Sequence, residues 1–395
     1  LARGESELTG ALFSDDTRYM AGALAALGIS IEIDEPHARF VVTGGGGSFP
    51  AAHADLFVGN SGTTMRFLTA ALPLGHGEYR IDGVPRMRQR PIAPLIHALN
   101  DLGADVQSES GSGCPPVVVR AAGLRGGTTA MAGDQSSQYF TGLLLAAPAA
   151  RDGVTVRVQG DLVSKPYITI TAEVMRAFGV DVVIDEVAWG EFSVPAGQHY
   201  SGRAYRIEPD ASNASYFFAA AAATGGRVRV QHLGQNSVQG DLGFVDVLAE
   251  MGASVTKTAG YVEVTGPPQG DLRGIDVDMN AISDTAQTLA AIAPFASGPV
   301  TIRGVEHMRM KETDRVTALA NELRRLGQGI EERPDGLTVV PAPVVPASIA
   351  TYDDHRMAMS FAVTGLRAPG VTILDPGCVA KTFPDFFTRL ENLRR

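Results

Sequence analysis

The chain has 395 residues, of which 45% are apolar and 19% are charged, so it can bury the cores of two domains and is neither disordered nor a coiled coil. No apolar run reaches the roughly 18 residues that span a bilayer, and a formal net charge of −10 argues against nucleic-acid binding. Two cysteines, Cys114 and Cys378, cannot form a disulfide framework, and no Cys/His group has the spacing of a zinc site.

One sequence motif recurs along the chain. It consists of an amphipathic helical segment, a glycine and a strand-like apolar segment. Successive copies lie 75, 76, 73 and 75 residues apart, which indicates a repeat protein. Each glycine follows the last apolar residue of its helical segment, where a left-handed helix C-terminus is expected. The five glycines are Gly28, Gly103, Gly179, Gly252 and Gly327.

Short alternating strands and alanine-rich helices fill the rest of each repeat. The pattern predicts six copies of the strand, at Leu8, 79–81, 156–158, 228–230, 300–302 and 371–373. It predicts five helices after polar starts at Gly59, Asp134, Asp210, Ser283 and Asp353. A sixth helix would precede residue 1, and Leu1-Ala2-Arg3-Gly4 is interpreted as its final turn. We therefore expect the chain to begin inside a repeat.

Two helices and about four short strands per repeat predict an α/β (α+β) protein with mixed sheets. Three repeats per domain give two domains of ordinary size. We expect an N-terminal domain over residues 1–207, whose first repeat is incomplete, and a C-terminal domain over residues 208–395. The boundary is predicted near Arg206–Asp210, with a short connection.

Basic residues are concentrated in the loops that enter helices, where free N–H groups and the helix dipole favour anions. They are Arg66, Arg86, Arg88, Arg90, Lys165, Lys311, Arg315, His355, Arg356 and Lys381. In an acidic protein this placement predicts a small anionic ligand that carries phosphate or carboxylate. Purely local roles also fit some polar residues, such as helix capping by Asp284 and Asp354 or a salt-bridged helix face for Glu312.

The ordered motifs together resemble the 5-enolpyruvylshikimate-3-phosphate (EPSP) synthase family. They are GNSGTTMR, RMRQRPI, SSQ, GDLVSKPYI, DASNASYF, MKETDR, DDHRMAM and AKTFPD. Each motif is weak alone, but the ordered set is specific and spans almost the whole chain. The resemblance implies a two-domain inside-out α/β prism with three βαβαββ units per domain.

The resemblance also implies transfer of the enolpyruvyl group of phosphoenolpyruvate to the 5-hydroxyl of shikimate 3-phosphate, with release of phosphate. The N-terminal domain would mainly bind shikimate 3-phosphate, and the C-terminal domain would close the cleft with its Arg and Lys residues. The implied shikimate 3-phosphate ligands are Ser136, Ser137, Gln138, Ser164, Tyr167, Asp284, His307 and Lys311. The implied phosphoenolpyruvate ligands are Gly62, Arg90, Gln138, Arg315, Arg356 and Lys381.

The catalytic residues implied by the resemblance are Glu312, Asp284 and Lys311. Addition needs one proton delivered to the methylene carbon and one removed from the hydroxyl, which two carboxylates in different settings can do. No metal and no organic cofactor is expected. A cytoplasmic monomer is expected, inhibited by glyphosate and bound to neither nucleic acid nor membrane.

Three departures from the family pattern stand out. The Lys-Ser and following Arg that begin the first alanine-rich helix of the family have no counterpart, so the lysine that contacts both substrates in the family is absent. Phe67 replaces a common proline, and His307 replaces a common asparagine. Two other functions stay open at this point: the sister UDP-N-acetylglucosamine enolpyruvyl transferases, which use a reactive cysteine in the loop here formed by Pro85–Arg90, and a ligand-binding fragment that needs a separate N-terminal piece.

Overall fold

The computed structural model describes residues 1–185 and 187–393. The chain divides into two compact units, of which unit 1 ends at Ile207 and unit 2 begins at Glu208. Within the described residues, no helix is both long enough and apolar enough to cross a membrane.

Unit 1 contains three four-stranded sheets. Its strands are β1 (Arg3–Thr9), β2 (Ser30–Asp34), β3 (Arg39–Gly45), β4 (His53–Phe57), β5 (His76–Asp82), β6 (Asp105–Ser108), β7 (Val117–Ala122), β8 (Gly127–Ala132), β9 (Val154–Gln159), β10 (Val183–Ile184), β11 (Glu191–Val194) and β12 (Ala204–Arg206). The sheet orders are β12-β1-β3-β2, β4-β5-β7-β6 and β8-β9-β11-β10. In each sheet the first pair is parallel and the other two pairs are antiparallel.

The helices of unit 1 cover these sheets and fill the space between them. They are α1 (Asp15–Ala26), α2 (Gly62–Ala71), α3 (Ala93–Asp101), α4 (Ser137–Ala146) and α5 (Pro166–Ala177). Helices α2 and α4 pack on each other and are buried on nearly all sides. Small side chains permit this close approach, because alanine and glycine leave room for a neighbouring backbone. One apolar core runs through the whole unit.

Unit 2 repeats the same arrangement with fewer strands. Its strands are β13 (Arg227–Gln231), β14 (Ser254–Lys257), β15 (Tyr261–Thr265), β16 (Ile275–Asp278), β17 (Val300–Arg303), β18 (Gly329–Arg333), β19 (Gly336–Val340), β20 (Ser348–Ile349) and β21 (Thr372–Ile373). The sheet orders among the described strands are β13-β15-β14, β16-β17-β19-β18 and β20-β21.

The helices of unit 2 include three alanine-rich ones at its centre, whereas unit 1 has two. They are α6 (Ala211–Thr224), α7 (Phe244–Glu250), α8 (Ala286–Ile292), α9 (Arg315–Arg325), α10 (His355–Arg367) and α11 (Phe386–Asn392). Helices α6, α8 and α10 pack against one another, and their buried faces form most of a second core. Because all three begin at the same end of the repeat, their polar first turns are brought together.

The structure confirms the predicted repeat. All five predicted alanine-rich helices are present, as α2, α4, α6, α8 and α10, and all six predicted strands are present. The five repeat glycines all have positive φ, between 83° at Gly327 and 114° at Gly252, as a left-handed helix end requires.

One prediction about the first residues is wrong. Arg3 and Gly4 do not form a helical turn; they begin strand β1. All seven residues of β1 pair with the seven residues of β3, and this ladder satisfies the backbone groups that a helical turn would otherwise use.

Replacing a buried alanine by leucine should test the packing of the alanine-rich helices. Ala146 on α4 is 1% exposed. We expect Ala146→Leu to lower the free energy of unfolding of unit 1 by about 1–3 kcal/mol, because the added atoms have no space. Urea denaturation measures the change. Ala25→Leu, at an exposed position of α1, is the control and should stay within about 0.5 kcal/mol. Equal effects of the two changes would contradict this account of the core.

Candidate active site

The polar residues of unit 1 gather where α2 begins. The Ser61 hydroxyl caps α2 and accepts a hydrogen bond from the Thr64 amide at 3.4 Å. Gly62 is the first residue of the helix, and a β-carbon added there would lie 2.6 Å from both Arg66 Nη1 and Arg90 Nη2. The missing side chain therefore allows two guanidinium groups to approach a helix N-terminus that itself favours anions.

Gln138 links the start of α4 to the start of α2. Arg66 Nη1 donates a 2.7 Å hydrogen bond to Gln138 Oε1, and Gln138 Nε2 donates to Thr63 Oγ1 at 3.1 Å. The guanidinium of Arg66 lies 5.4 Å from the ring centre of Tyr139, which adds a cation–π contact. Two predicted phosphoenolpyruvate ligands, Gly62 and Gln138, thus lie on either side of one arginine.

The arginines of the PRMRQRPI loop have different surroundings. Arg90 is buried, and its Nη1 donates to the Asn60 carbonyl at 3.2 Å, beside the start of α2. Arg88 is half exposed and its guanidinium forms a 2.7 Å ion pair with Asp82. Of these two, Arg90 is the one that the structure brings to Gly62, and its role as a phosphoenolpyruvate ligand stays a prediction.

The predicted serine ligands lie at the starts of α4 and α5. Ser136 caps α4, and Ser137 is its buried first residue. Ser164 is buried before α5, with a φ of 54° that is uncommon for a residue other than glycine. The two helices are held together by a 2.8 Å hydrogen bond between the Thr141 and Thr171 hydroxyls. Tyr167 lies in the first turn of α5.

Arg315 is the centre of the polar cluster in unit 2. It is the first residue of α9 and is 2% exposed. Its Nε donates to Asp354 at 2.7 Å, its Nη2 to Glu312 at 2.8 Å, and its Nη1 to Asp284 at 3.3 Å. Burial disfavours its charge, but these three carboxylates outweigh that effect and raise the pKa of Arg315 above its ordinary value.

Arg356 connects this cluster to helix α6. Its Nη2 donates to Asp284 Oδ2 at 3.0 Å, and its Nη1 donates to the Ser212 hydroxyl at 3.2 Å and the Tyr216 hydroxyl at 3.3 Å. Its backbone amide donates to Asp354 at 2.9 Å, because Asp354 caps α10. The side chain is thus held at both ends of the guanidinium.

Asp284 lies just before α8, between two arginines. Although burial alone would raise its pKa, the charges of Arg356, Lys311 and Arg315 hold the pKa of Asp284 well below its usual value. It is therefore ionised at neutral pH in this arrangement. Only about a fifth of the side chain is exposed.

Glu312 bridges two cations. One oxygen accepts from Arg315, and the other lies 3.3 Å from Lys381 Nζ. Lys381 is the last residue of the short turn Pro376–Lys381, which packs against α10. Glu312 itself is only 9% exposed, so few water molecules reach its carboxylate.

His307 is buried beside the cluster. Its Nε2 is 2.9 Å from the Ser283 hydroxyl. Burial, together with the charge of Lys311, lowers the pKa of His307 to about 4. The ring is therefore neutral at physiological pH and can act as a hydrogen-bonding group but not as a cation.

The structure adds three residues that had no predicted role in binding. Asp354 was explained as a cap, which it is, but it also holds Arg315. Ser212 and Tyr216 lie in the DASNASYF motif and contact Arg356. Their only sequence signal was their position in a polar helix start, since the pairing with an arginine 140 or more residues away depends on the packing of α6 and α10.

Over residues 1–185 and 187–393, no group of three or more His, Cys, Asp or Glu side chains is placed to hold a metal ion. Burial raises the pKa of the Cys378 thiol to about 11, which keeps it protonated at neutral pH.

Comparison with known proteins matches this geometry to one family. Residues 1–390 match the family described as EPSP synthase (3-phosphoshikimate 1-carboxyvinyltransferase). The chain is 54% identical over 389 residues to a 3-phosphoshikimate 1-carboxyvinyltransferase of Nostoc punctiforme, covering 98% of this chain and 90% of that protein. It is 47% identical over 396 residues to the Vibrio atlanticus protein of the same name, covering 100% of this chain and 92% of that protein.

A solved structure of the EPSP synthase from Acinetobacter baumannii superimposes with a TM-score of 0.81 at 27% identity, covering 100% of this chain and 90% of that chain. The chain belongs to the EPSP synthase family. Its fold is the enolpyruvyl transferase fold, as the resemblance implied. Its reaction is the transfer of the enolpyruvyl group from phosphoenolpyruvate to shikimate 3-phosphate, a step of aromatic amino acid biosynthesis. Between the two transferase families, the shikimate prediction is confirmed.

Neutralising the buried carboxylate of Asp354 should show how strongly the unit 2 cluster depends on it. Asp354→Asn keeps the shape of the side chain but removes one of the negative charges that face the buried Arg315 guanidinium. We therefore expect the free energy of unfolding to fall by about 3–5 kcal/mol. Chemical denaturation measures the change. Asp271→Asn removes an exposed carboxylate 3.7 Å from Arg367 and is the control, expected to cost less than about 1 kcal/mol. A loss for Asp354→Asn no larger than for the control would show that Arg315 does not depend on this partner.

Proposed function

We propose that the polar clusters of the two units carry out the enolpyruvyl transfer of this family, with the residue roles set out below. The observation that carries the proposal is the buried network of unit 2, in which two carboxylates suited to proton transfer, Asp284 and Glu312, are each held by two or more cations. Such an arrangement fits a reaction of two polyanions that needs both an acid and a base.

Phosphoenolpyruvate is assigned to the arginine-rich positions. Arg356 and Lys381 in unit 2, and Arg90 with the start of α2 in unit 1, would neutralise its carboxylate and phosphate. Arg315 already donates to three carboxylates, so it would reach a substrate only by exchanging one of them. Among the shortest hydrogen bonds from Arg315 to each of its three carboxylates, the bond to Asp284 is the longest, at 3.3 Å. Asp284 is also the most exposed of the three. The substrate would therefore replace Asp284 as a partner of Arg315.

Shikimate 3-phosphate is assigned to the serine-rich positions and to the turn before α9. Ser136, Ser137 and Ser164 offer hydroxyl donors for the phosphate, and Tyr167 would flank the ring. In unit 2, Lys311, His307 and Asp284 would bind the hydroxyls. A neutral His307 suits this role, because it donates and accepts hydrogen bonds without adding charge. Gln138 would contact both substrates.

The chemical step is assigned to Glu312 and Asp284. Glu312 would deliver the proton to the methylene carbon, and Asp284 would take the proton of the attacking hydroxyl, with Lys311 stabilising the charge that develops. Asp284 is a weak base while its cations hold its pKa low. Two bound polyanions would offset those cations and raise the basicity of Asp284 when it is needed.

The oligomeric state, the cellular compartment and the inhibitor are part of the same proposal. A single chain carries every assigned residue, so a monomer is sufficient. The substrates are small phosphorylated metabolites, which fits action in the cytoplasm. Glyphosate, itself an anion with phosphonate and carboxylate groups, is proposed to compete at the phosphoenolpyruvate position.

The exchange Glu312→Gln tests the assigned chemistry. It keeps the size and one hydrogen-bond acceptor but removes the transferable proton, so we expect kcat to fall by roughly 10²–10⁴-fold. Binding of shikimate 3-phosphate, measured by calorimetry, should change little. Glu306→Gln, at an exposed position six residues earlier, is the control and should keep full turnover. Near-normal turnover of Glu312→Gln, or loss of binding instead of turnover, would show that the assigned role is wrong.

The exchange Phe67→Pro tests the glyphosate proposal. Phe67 lies inside α2, where proline would remove a backbone donor and disturb the turn that carries Gly62. With phenylalanine we expect weak glyphosate inhibition, and Phe67→Pro should lower the inhibition constant severalfold while the KM for phosphoenolpyruvate changes less. The measurement is steady-state inhibition at varied phosphoenolpyruvate. An unchanged inhibition constant would rule out this position as the cause.

A further inference from the structure

The turn that leads into α10 has an unusual backbone. The Asp354 amide donates to the Thr351 carbonyl at 2.9 Å, which closes a four-residue turn. The two central residues of this turn, Tyr352 and Asp353, have φ values of 56° and 54°. Positive φ at both central positions favours glycine, asparagine or aspartate, because a bulky side chain is unfavourable there. Tyr352 therefore needs contacts that hold it in this conformation.

Glu322 supplies such contacts from helix α9. Its side chain is fully buried. The Tyr352 hydroxyl donates to Glu322 Oε1 at 2.7 Å, and the Ala350 amide donates to Glu322 Oε2 at 3.1 Å. One carboxylate thus holds the chain just before the turn and again at the first central residue of the turn. Hydrogen bonds to an ionised carboxylate are roughly twice as strong as those between neutral groups.

Two neighbouring residues of α9 complete the surroundings of Glu322. Arg325 Nε lies 3.4 Å from Glu322 Oε2, and about half of the arginine side chain is exposed, so water screens this ion pair. The Asn321 side chain also forms a hydrogen bond with Tyr352. The shortest contact described for the Glu322 carboxylate is therefore the one to the tyrosine of the turn.

The same turn leads directly to residues of the candidate site. Asp354 ends the turn and holds Arg315, and Arg356 follows two residues later in the first turn of α10. Arg315 and Glu322 are seven residues apart on α9, which places them on one face of that helix. Helix α9 is thus joined at two points to the segment that precedes Arg356.

The repeat does not require a carboxylate at this position of the helix. Glu322 lies five residues before Gly327, one of the five repeat glycines. The residues at the same spacing before the other four glycines are alanine or valine: Ala23, Ala98, Val174 and Val247. An apolar residue is therefore sufficient for the fold in those four copies. Because burying a carboxylate is itself unfavourable, packing does not explain the charge in α9.

We propose that Glu322 is a positioning residue for phosphoenolpyruvate binding. By holding Tyr352 in its left-handed conformation, Glu322 fixes the direction in which the chain enters α10 and therefore the orientation of Arg356. Glu322 acts through the turn and not by contact with the substrate. This inference rests on the proposed role of Arg356 and adds to it a residue from a different helix.

Steady-state kinetics with each substrate varied in turn tests the proposal. Glu322→Gln keeps the size of the side chain but removes its charge, and Tyr352→Phe removes one hydrogen-bond donor. We expect the KM for phosphoenolpyruvate to rise about tenfold in Glu322→Gln and about threefold in Tyr352→Phe. The KM for shikimate 3-phosphate should stay within about twofold of the wild type. The double variant should be no worse than Glu322→Gln alone, because both changes break the same hydrogen bond.

Matched controls come from the same unit. Glu331→Gln changes an exposed carboxylate of β18, and Tyr261→Phe changes a tyrosine of β15. Both controls should keep the wild-type KM values. Arg356→Lys is the reference, because it alters the proposed ligand itself and should raise the KM for phosphoenolpyruvate while Glu322 is intact.

A role of Glu322 that is limited to stability predicts a different result. Glu322→Gln would then lower the melting temperature and kcat, and both KM values would stay unchanged. That result, or additive effects of the two changes in the double variant, would overturn the inference. If Glu322→Gln does not fold, Tyr352→Phe decides the question by the same comparison of KM values.

The reference variant separates this inference from the proposed function. A raised KM for phosphoenolpyruvate in Arg356→Lys, with no change in Glu322→Gln, would overturn the inference alone. An unchanged KM in Arg356→Lys would overturn the assigned role of Arg356, and the inference about Glu322 with it.

Discussion

A fully buried guanidinium is the constraint on which the unit 2 site depends. An arginine cannot lose its proton to escape an apolar setting, so the protein must supply negative charge wherever it buries one. Arg315 is satisfied by carboxylates from three separate segments, at positions 284, 312 and 354. The starts of α8, α9 and α10 are thereby tied to one point, and the groups assigned to proton transfer become rigid parts of the same network.

The network also sets the balance between stability and reactivity. Asp354 has no exposure and serves only the protein, since it caps α10 and holds Arg315. Asp284 and Glu312 are slightly more exposed, with 20% and 8% of their side-chain surfaces accessible, and both are proposed to act in the chemical step. Exposure thus increases from Asp354 through Glu312 to Asp284, which is the carboxylate proposed to release Arg315 when substrate binds. Electrostatic preorganisation of this kind avoids reorganisation when the charge of the reacting groups changes.

Much of the fold could be predicted from the sequence, because the repeat places the same signals at nearly equal intervals. Glycines at helix ends and polar residues at helix starts are local signals, and they located Gly103 and the start of α4 after Asp134 correctly. The partners of Arg356 could not be found this way, since Ser212 and Tyr216 reach it only through packing of distant helices. Local rules also failed at Arg3, where a strand pairing with residues about 40 positions later decided the conformation. The roles of the site residues follow from family resemblance and chemistry, not from spacing.

The sheet order β12-β1-β3-β2 has a consequence for how unit 1 is made. Its first strand pairs in parallel with its last, through Glu7 and Ala204, so one sheet is completed by residues almost 200 positions apart. During synthesis on the ribosome, the edge of β1 that pairs with β12 stays unpaired until nearly the whole unit has emerged. Contacts so distant in sequence slow folding and leave an unpaired strand edge available to other chains meanwhile. This sheet of unit 1 therefore cannot be completed before its last strand has been translated.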